Sequence, residues 1–153
     1  MLLKKSVISF PIALFILLTT FEGIGSADKQ TARMTLPPVW RDINNNQVDL
    51  SKLAMEKGGL YIIVLRAMWC ASCNEKDINN ARKHYPDVIA VIGYVMEDEL
   101  QFFKNKSWGI TILRDEKYKL VQSLRMRETS VILKLDKDLS IIKKSGLEPH
   151  SEL

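Results

Sequence analysis

Leu60-Tyr61-Ile62-Ile63-Val64-Leu65-Arg66 runs directly into Ala67-Met68-Trp69-Cys70-Ala71-Ser72-Cys73, and the junction between the two stretches decides the fold. The first is apolar and rich in β-branched residues over strand length, so it reads as a buried strand. Beyond it, Ala71, Asn74, Ile78, Ala81 and Tyr85 recur at spacings of three and four. That spacing lays one face of a helix on a sheet. Cys70 and Cys73 are the only cysteines of the chain, and both fall where the strand gives way to the helix. At i and i+3 on a first helical turn they lie side by side, close enough for a disulfide without moving the backbone. Cys70, at the helix N-terminus, faces unpaired amides and the positive dipole end, which lower a thiol pKa from about 8.5 towards roughly 3.5–7.5. A sulfur so placed is a thiolate at neutral pH.

Three other roles compete with redox chemistry. As a structural staple, a loop of about four residues contributes roughly 2 kcal/mol, against nearly 5 for a long loop, a poor placement for a lone disulfide. Zinc would need four ligands, and two Cys and two His are available. His84, however, lies eleven residues beyond Cys73 on the same helix, about 16 Å away, whereas Zn–S distances are about 2.3 Å. His84 suits the C-terminal end of the helix dipole, and His150 a tail. Two inert buried thiols fit badly at a loop-to-helix junction.

Outward from this junction, apolar runs alternate with amphipathic ones, the rhythm of an α/β sheet covered by helices. Val39 to Ile43, the turn-prone Asn44-Asn45-Asn46 and Val48 to Leu50 predict a small hairpin. Asp49 or Ser51 then caps a short helix that stops at Gly58-Gly59. Val88 to Val95 predicts a second central strand, and Glu97-Asp98-Glu99 open a helix closed by Lys104 and Lys106. Phe102 and Phe103 are expected against the sheet. Ile110 to Leu113 predicts a short strand, and Asp115 caps a helix running to Leu124. Ser130 to Leu135 and Leu139 to Lys143 pair around Lys137-Asp138. From Leu60 the order is β-α-β-α-β-α-β-β. Met68, Met96 and Met126 read as core filling rather than soft metal ligands. The pairs Arg125/Arg127 and Lys143/Lys144 read as solvated faces.

At the N-terminus, Lys4 and Lys5 precede an uncharged run from Ser6 to Phe21. Sixteen helical residues span about 24 Å, short of a ~30 Å hydrocarbon core, and Pro11 interrupts the run. Gly25-Ser26-Ala27 then supplies the small residues of a signal-peptidase site. Residues 1–27 are read as a signal peptide, 28–38 as linker and 39–153 as one domain, with an uncleaved membrane anchor as the alternative. The whole chain of 153 residues has a net charge of +4 from 22 basic and 18 acidic residues. Loss of Lys4, Lys5 and Glu22 leaves +3, too weak and too mixed for nucleic-acid binding. The ending His150-Ser151-Glu152-Leu153 departs from an ER-retention signal and reads as a polar tail.

The strand Tyr61-Ile62-Ile63-Val64-Leu65 followed by Trp69-Cys70-Ala71-Ser72-Cys73 resembles the active site of the TlpA/ResA-like extracytoplasmic thiol-disulfide oxidoreductases. Leu36-Pro37-Pro38-Val39-Trp40, the stretch Asp42 to Ser51, Leu133 to Asp138 and Gly146 are similar to that family's flanking pieces. The resemblance implies a thioredoxin-like fold, with a central mixed β-sheet flanked by helices and an N-terminal hairpin extension. It implies Cys70 as attacking thiol, Cys73 as resolving thiol and Trp69 beside them, with no cofactor and no metal. Thr129 and Ser130 occupy the substrate-binding position where the family usually carries a cis-proline. A cis bond before a non-proline costs about 2.5–4 kcal/mol, so the Thr129–Ser130 bond is expected trans.

The family's buried acid after the motif is displaced, because Glu75 stands two residues beyond Cys73 and Lys76 three. Glu75 is expected as a solvated surface residue. With only seven residues after Gly146, a shortened C-terminus is also expected. The implied partners are protein disulfide or dithiol substrates and an electron-donating membrane thiol-disulfide protein. The implied setting is the periplasm or the secreted space, with cytochrome c maturation as one context. A non-catalytic thioredoxin-like interaction module and a metal-binding chaperone are the alternatives.

Overall fold

The computed structural model describes residues 34–66 and 71–147. The chain opens with a hairpin, β1 (Val39–Arg41) against β2 (Gln47–Asp49), paired antiparallel from Val39↔Asp49 to Arg41↔Gln47. Asp42 turns it: its Oδ1 accepts the backbone N–H groups of Asn44 and Asn46, each at 2.8 Å. Asp49 then caps α1 (Leu50–Lys57), accepting the Lys52 N–H at 3.0 Å, and Gly58 ends the helix at φ 75°. Both signals act as the sequence predicts, because a carboxylate fills an orphan amide and only glycine enters the left-handed region freely.

The main sheet has five strands, β3 (Leu60–Leu65), β4 (Ile89–Tyr94), β5 (Ile112–Glu116), β6 (Ser130–Leu135) and β7 (Ile141–Gly146). They lie in the order β5-β4-β3-β6-β7. β3, β4 and β5 run parallel, whereas β6 is antiparallel to β3 and β7 to β6. The fold is therefore the mixed sheet the sequence reading expects. β4 is buried along its whole length, as a central strand covered on both faces should be.

Two apolar clusters sandwich this sheet. On one face Leu50 and Ala54 of α1 and Leu120 and Val121 of α4 (Lys119–Ser123) meet Ile62, Val64 and Val91. On the other, Ile78 and Ala81 of α2 (Ala71–His84), Leu100 just before α3 (Gln101–Lys104) and Phe103 within it meet Ile63, Leu65, Ala90 and Ile92. Burying each Leu, Ile or Val side chain contributes about 1.5–3 kcal/mol. The edges of the sheet differ. The Ile43 N–H donates to the Ile112 carbonyl at 3.0 Å, so the end of the first hairpin covers β5. β7 is exposed along most of its length, and Lys143 and Lys144 project from it, charges of the kind that blunt an open edge.

Several predicted boundaries move. The helix expected from Glu97 to Lys106 breaks into a 3₁₀ turn, Glu97–Leu100, and the four-residue α3. The Glu99 carboxylate folds back onto the Val95 and Met96 amides at 2.6 and 3.0 Å, and Lys106 pairs with Glu75 instead of closing the helix. Phe103 is fully buried as expected, but Phe102 stays 39% exposed, edge-on to Phe103 and Trp108. β5 begins two residues later than the sequence suggests, because Gly109 turns at φ 64° and the register with β4 starts at Ala90↔Ile112. β7 is shifted likewise: the Asp136 carboxylate accepts the Asp138 and Ser140 amides, which draws Leu139 into a buried turn.

Met126 is buried, as core filling requires, but Met96 is 58% exposed. The chain has already left β4 there. Within the segment read as linker, Leu36 is buried and its N–H donates to the Leu139 carbonyl at 3.0 Å. No helix among the described residues is long and apolar enough to cross a membrane.

Candidate functional site

The parallel strands β3, β4 and β5 end on the same side of the sheet, and the chain leaves β3 there through Arg66 towards α2. Ligand sites of α/β sheets form at such carboxyl ends. α2 begins at Ala71, so Cys73 is its third residue and stands in the first turn of the helix. No acidic residue stands in that turn, and Arg82, Lys83 and His84 close the far end. The charges thus run with the helix dipole. Cys73 is partly exposed and engaged in a disulfide, and the described residues contain no free cysteine. Trp69 and Cys70, singled out from the sequence, lie outside the described residues.

Ser130 starts β6 directly opposite Leu65, the last residue of β3. It is buried, at 4% exposure. Thr129 before it is exposed, and its carbonyl accepts the Arg66 N–H at 2.8 Å. The structure therefore brings the Thr129-Ser130 pair to the end of β3 that leads into α2. No peptide bond among the described residues is cis, so the bond preceding Ser130 is trans, as a non-proline residue there requires.

Glu75 is half-exposed and forms an ion pair with Lys106 at 2.5 Å, a surface role as expected. The buried polar residues of α2 are instead Asn74, at 1% exposure, and Asp77, at 5%. Asp77 escapes a search confined to two or three residues past Cys73. The helical period would have found it, because i and i+4 share a face and bring Asp77 one turn below the sulfur. His84 is exposed at the end of α2. Among the described residues no group of three or more His, Cys, Asp or Glu is placed to hold a metal ion.

A cleft of about 500 Å³ opens beside Arg66 and Thr129, lined also by Tyr118, Val121, Gln122, Arg127 and Glu128. Nothing in the sequence reading links these residues. Arg66 ties the cleft together: its Nη1 donates to the Met126 and Arg127 carbonyls at 3.1 and 3.2 Å. Tyr118 enters from the turn after β5, where both Lys117 and Tyr118 are left-handed, at φ 57° and 55°. Each such non-glycine residue costs on the order of 1–3 kcal/mol and persists only where surrounding packing holds it. Burial and the nearby Glu99 carboxylate push the Tyr118 hydroxyl above its usual range. Farther along the same end of the sheet, Val95 and Met96 are 59% and 58% exposed.

A five-stranded mixed sheet with α1 and α4 on one face and α2 and α3 on the other, bearing a disulfide-bonded cysteine in the first turn of α2, defines the thioredoxin-like class of α/β folds. Solved structures with this fold match the chain at low identity. The exposed lipoprotein thioredoxin of Streptococcus pneumoniae is 17% identical, with a TM-score of 0.56 over 73% of this chain and 90% of that one. The N-terminal domain of PilB from Neisseria meningitidis, in its reduced form, is 14% identical, with a TM-score of 0.57 over 72% of this chain and 84% of that one. A candidate thiol:disulfide interchange protein, DsbE, from Chlorobium tepidum is 17% identical, with a TM-score of 0.55 over 76% of this chain and 86% of that one. No family model and no curated protein matches the chain.

Proposed function

We propose that the protein is an extracytoplasmic thiol-disulfide oxidoreductase that exchanges protein disulfides through Cys70 and Cys73, working as a reductant. The observation that carries this reading is the disulfide at Cys73, the third residue of α2, at the carboxyl end of the sheet in a thioredoxin-like fold. The reduced protein starts the cycle. The Cys70 thiolate attacks one sulfur of a substrate disulfide, forming a mixed disulfide and releasing the other substrate sulfur as a thiolate. Cys73 then loses its proton and attacks Cys70, the second substrate sulfur leaves, and two electrons have passed from the protein to the substrate. The disulfide form is the product of this cycle. A thiol donor at the membrane returns it to the dithiol by the same exchange run on the protein's own bond.

In this cycle the buried Asp77 carboxylate, one helical turn beyond Cys73, would take the resolving thiol's proton. The Thr129-Ser130 backbone, at the open end of β3, is the surface against which an extended substrate segment would lie, and Trp69 is proposed as a further substrate-binding residue. Residues 1–27 export the chain, either cleaved or kept as an anchor, and residues 39–153 form the working domain. Insulin reduction by a chemical thiol, compared between the wild type and Cys70→Ser, tests the proposal. Precipitation at least tenfold faster with the wild type is expected; equal rates would leave a binding module with an incidental dithiol.

A further inference from the structure

The cleft at the end of β3 is more than a gap between loops. Four separate segments build it: Arg66 after β3, Tyr118 from the turn after β5, Val121 and Gln122 from α4, and Arg127 to Thr129 before β6. Tyr118 reaches it by lying over Gly93, where a Cβ would stand 2.3 Å from the ring. Two adjacent left-handed residues and a glycine on β4 are thus committed to setting one aromatic side chain at this cleft. Strain of this kind clusters where a ligand is held.

Among the described residues, the charges lining the cleft are those of Arg66, Arg127 and one acid, Glu128. Glu128 is turned back on its own backbone, its Oε2 accepting the Arg127 N–H at 3.1 Å. Among the described residues, Arg66 engages its Nη1 alone, with the two carbonyls that anchor it, which leaves the rest of its planar fork to meet an acceptor. Two cations outweigh one internally engaged anion, and planar forks suit carboxylates.

We infer that this cleft holds an aspartate or glutamate side chain of the protein substrate, close in sequence to the disulfide being exchanged, paired with Arg66 and Arg127. The inference rests on the exchange reading above and gives it a substrate class: disulfides with acidic flanks. A substrate segment passing Thr129 lies next to the Arg66 backbone, so the residues beside its cysteine are the ones within reach.

Three disulfide-bonded peptides, identical except for Glu, Gln or Lys on both sides of the cysteine, test it with the full-length reduced protein. At about 0.01 M salt, where screening extends to ~30 Å, the Glu peptide should react on the order of fivefold faster than the Gln peptide and the Lys peptide slowest. That ratio should fall towards one at about 1 M salt, where the screening length is ~3 Å. Arg127→Glu should bring the Glu/Gln ratio below one, and Arg66→Gln should lower it. Because Arg66 also anchors the 126–127 backbone, Arg127→Glu decides if the other variant does not fold. Equal rates for the three peptides, or a ratio that Arg127→Glu does not move, would overturn the inference while leaving exchange intact. Failure to react with any of the peptides would instead overturn the exchange reading, and this inference with it.

Discussion

Tyr118 lies over Gly93 so closely that a Cβ on the glycine would stand 2.3 Å from the ring's Cδ1 and 2.6 Å from its Cε1. Gly93 sits inside β4, where glycine is normally a weak choice because it has no side chain to pack. The close approach of the ring explains its presence. Gly93→Ala must displace Tyr118, at a cost of about 1–3 kcal/mol as for other overpacked sites. Urea unfolding should show that loss, and the double variant Gly93→Ala/Tyr118→Ala should recover part of it.

Asp77 leads to a kinetic expectation. If Cys73 resolves the mixed disulfide as proposed, the buried carboxylate one helical turn along would assist its deprotonation, so the near-isosteric Asp77→Asn should slow insulin reduction on the order of tenfold near pH 7, the low side of general-base effects. The gap should narrow as pH rises towards about 8.5, where a thiol ionises unaided. A rate ratio constant across pH would reduce Asp77 to a packing role.

Asp115 makes a stability expectation. Its carboxylate accepts the Leu120 and Val121 amides at 2.8 and 3.0 Å, at 2% exposure. Burial raises its pKa above the usual carboxylate value, and the amides of Leu120, Val121 and Lys119 oppose that rise. An acid whose pKa is higher folded than unfolded binds more protons in the native state between the two values. Its contribution is therefore fully present below the unfolded pKa and lost as pH rises through the folded one. Asp115→Asn should lack that decline, so the difference in unfolding free energy between wild type and variant should shift in the wild type's disfavour from acid towards neutral pH. Asp115→Ala, which strips the acceptor from two amides, should cost about 1–3 kcal/mol at acid pH, and that cost should shrink towards neutral pH as the wild type loses the contribution of its raised pKa.

Much of this molecule is legible in its sequence because its local signals agree with one another. The run Leu60 to Leu65 could only be a covered strand, and Asp49 and Gly58 mark the ends of α1 through chemistry that acts over three or four residues. Cys73 likewise stands in the first turn of α2, where its sequence position puts it. What escaped depends on contacts distant in sequence. The cleft joins Arg66 to residues 118–129, and nothing within either stretch signals the other. The start of β5 is set by its register with β4 rather than by its own apolar run. Asp77 is the exception: the helical period alone would have placed it on the face of Cys73.

In the proposed cycle, Cys70 forms a bond with a substrate sulfur, which Cys73 then breaks. Incubating the full-length Cys73→Ser variant with a reducible protein such as insulin, followed by acid quench and mass analysis, measures this directly. A covalent adduct at Cys70 that accumulates in this variant, is released by reductant and is absent from Cys70→Ser is the predicted result. A Cys70 thiol left unmodified while the wild type and both variants reduce insulin at the same rate would rule that cycle out.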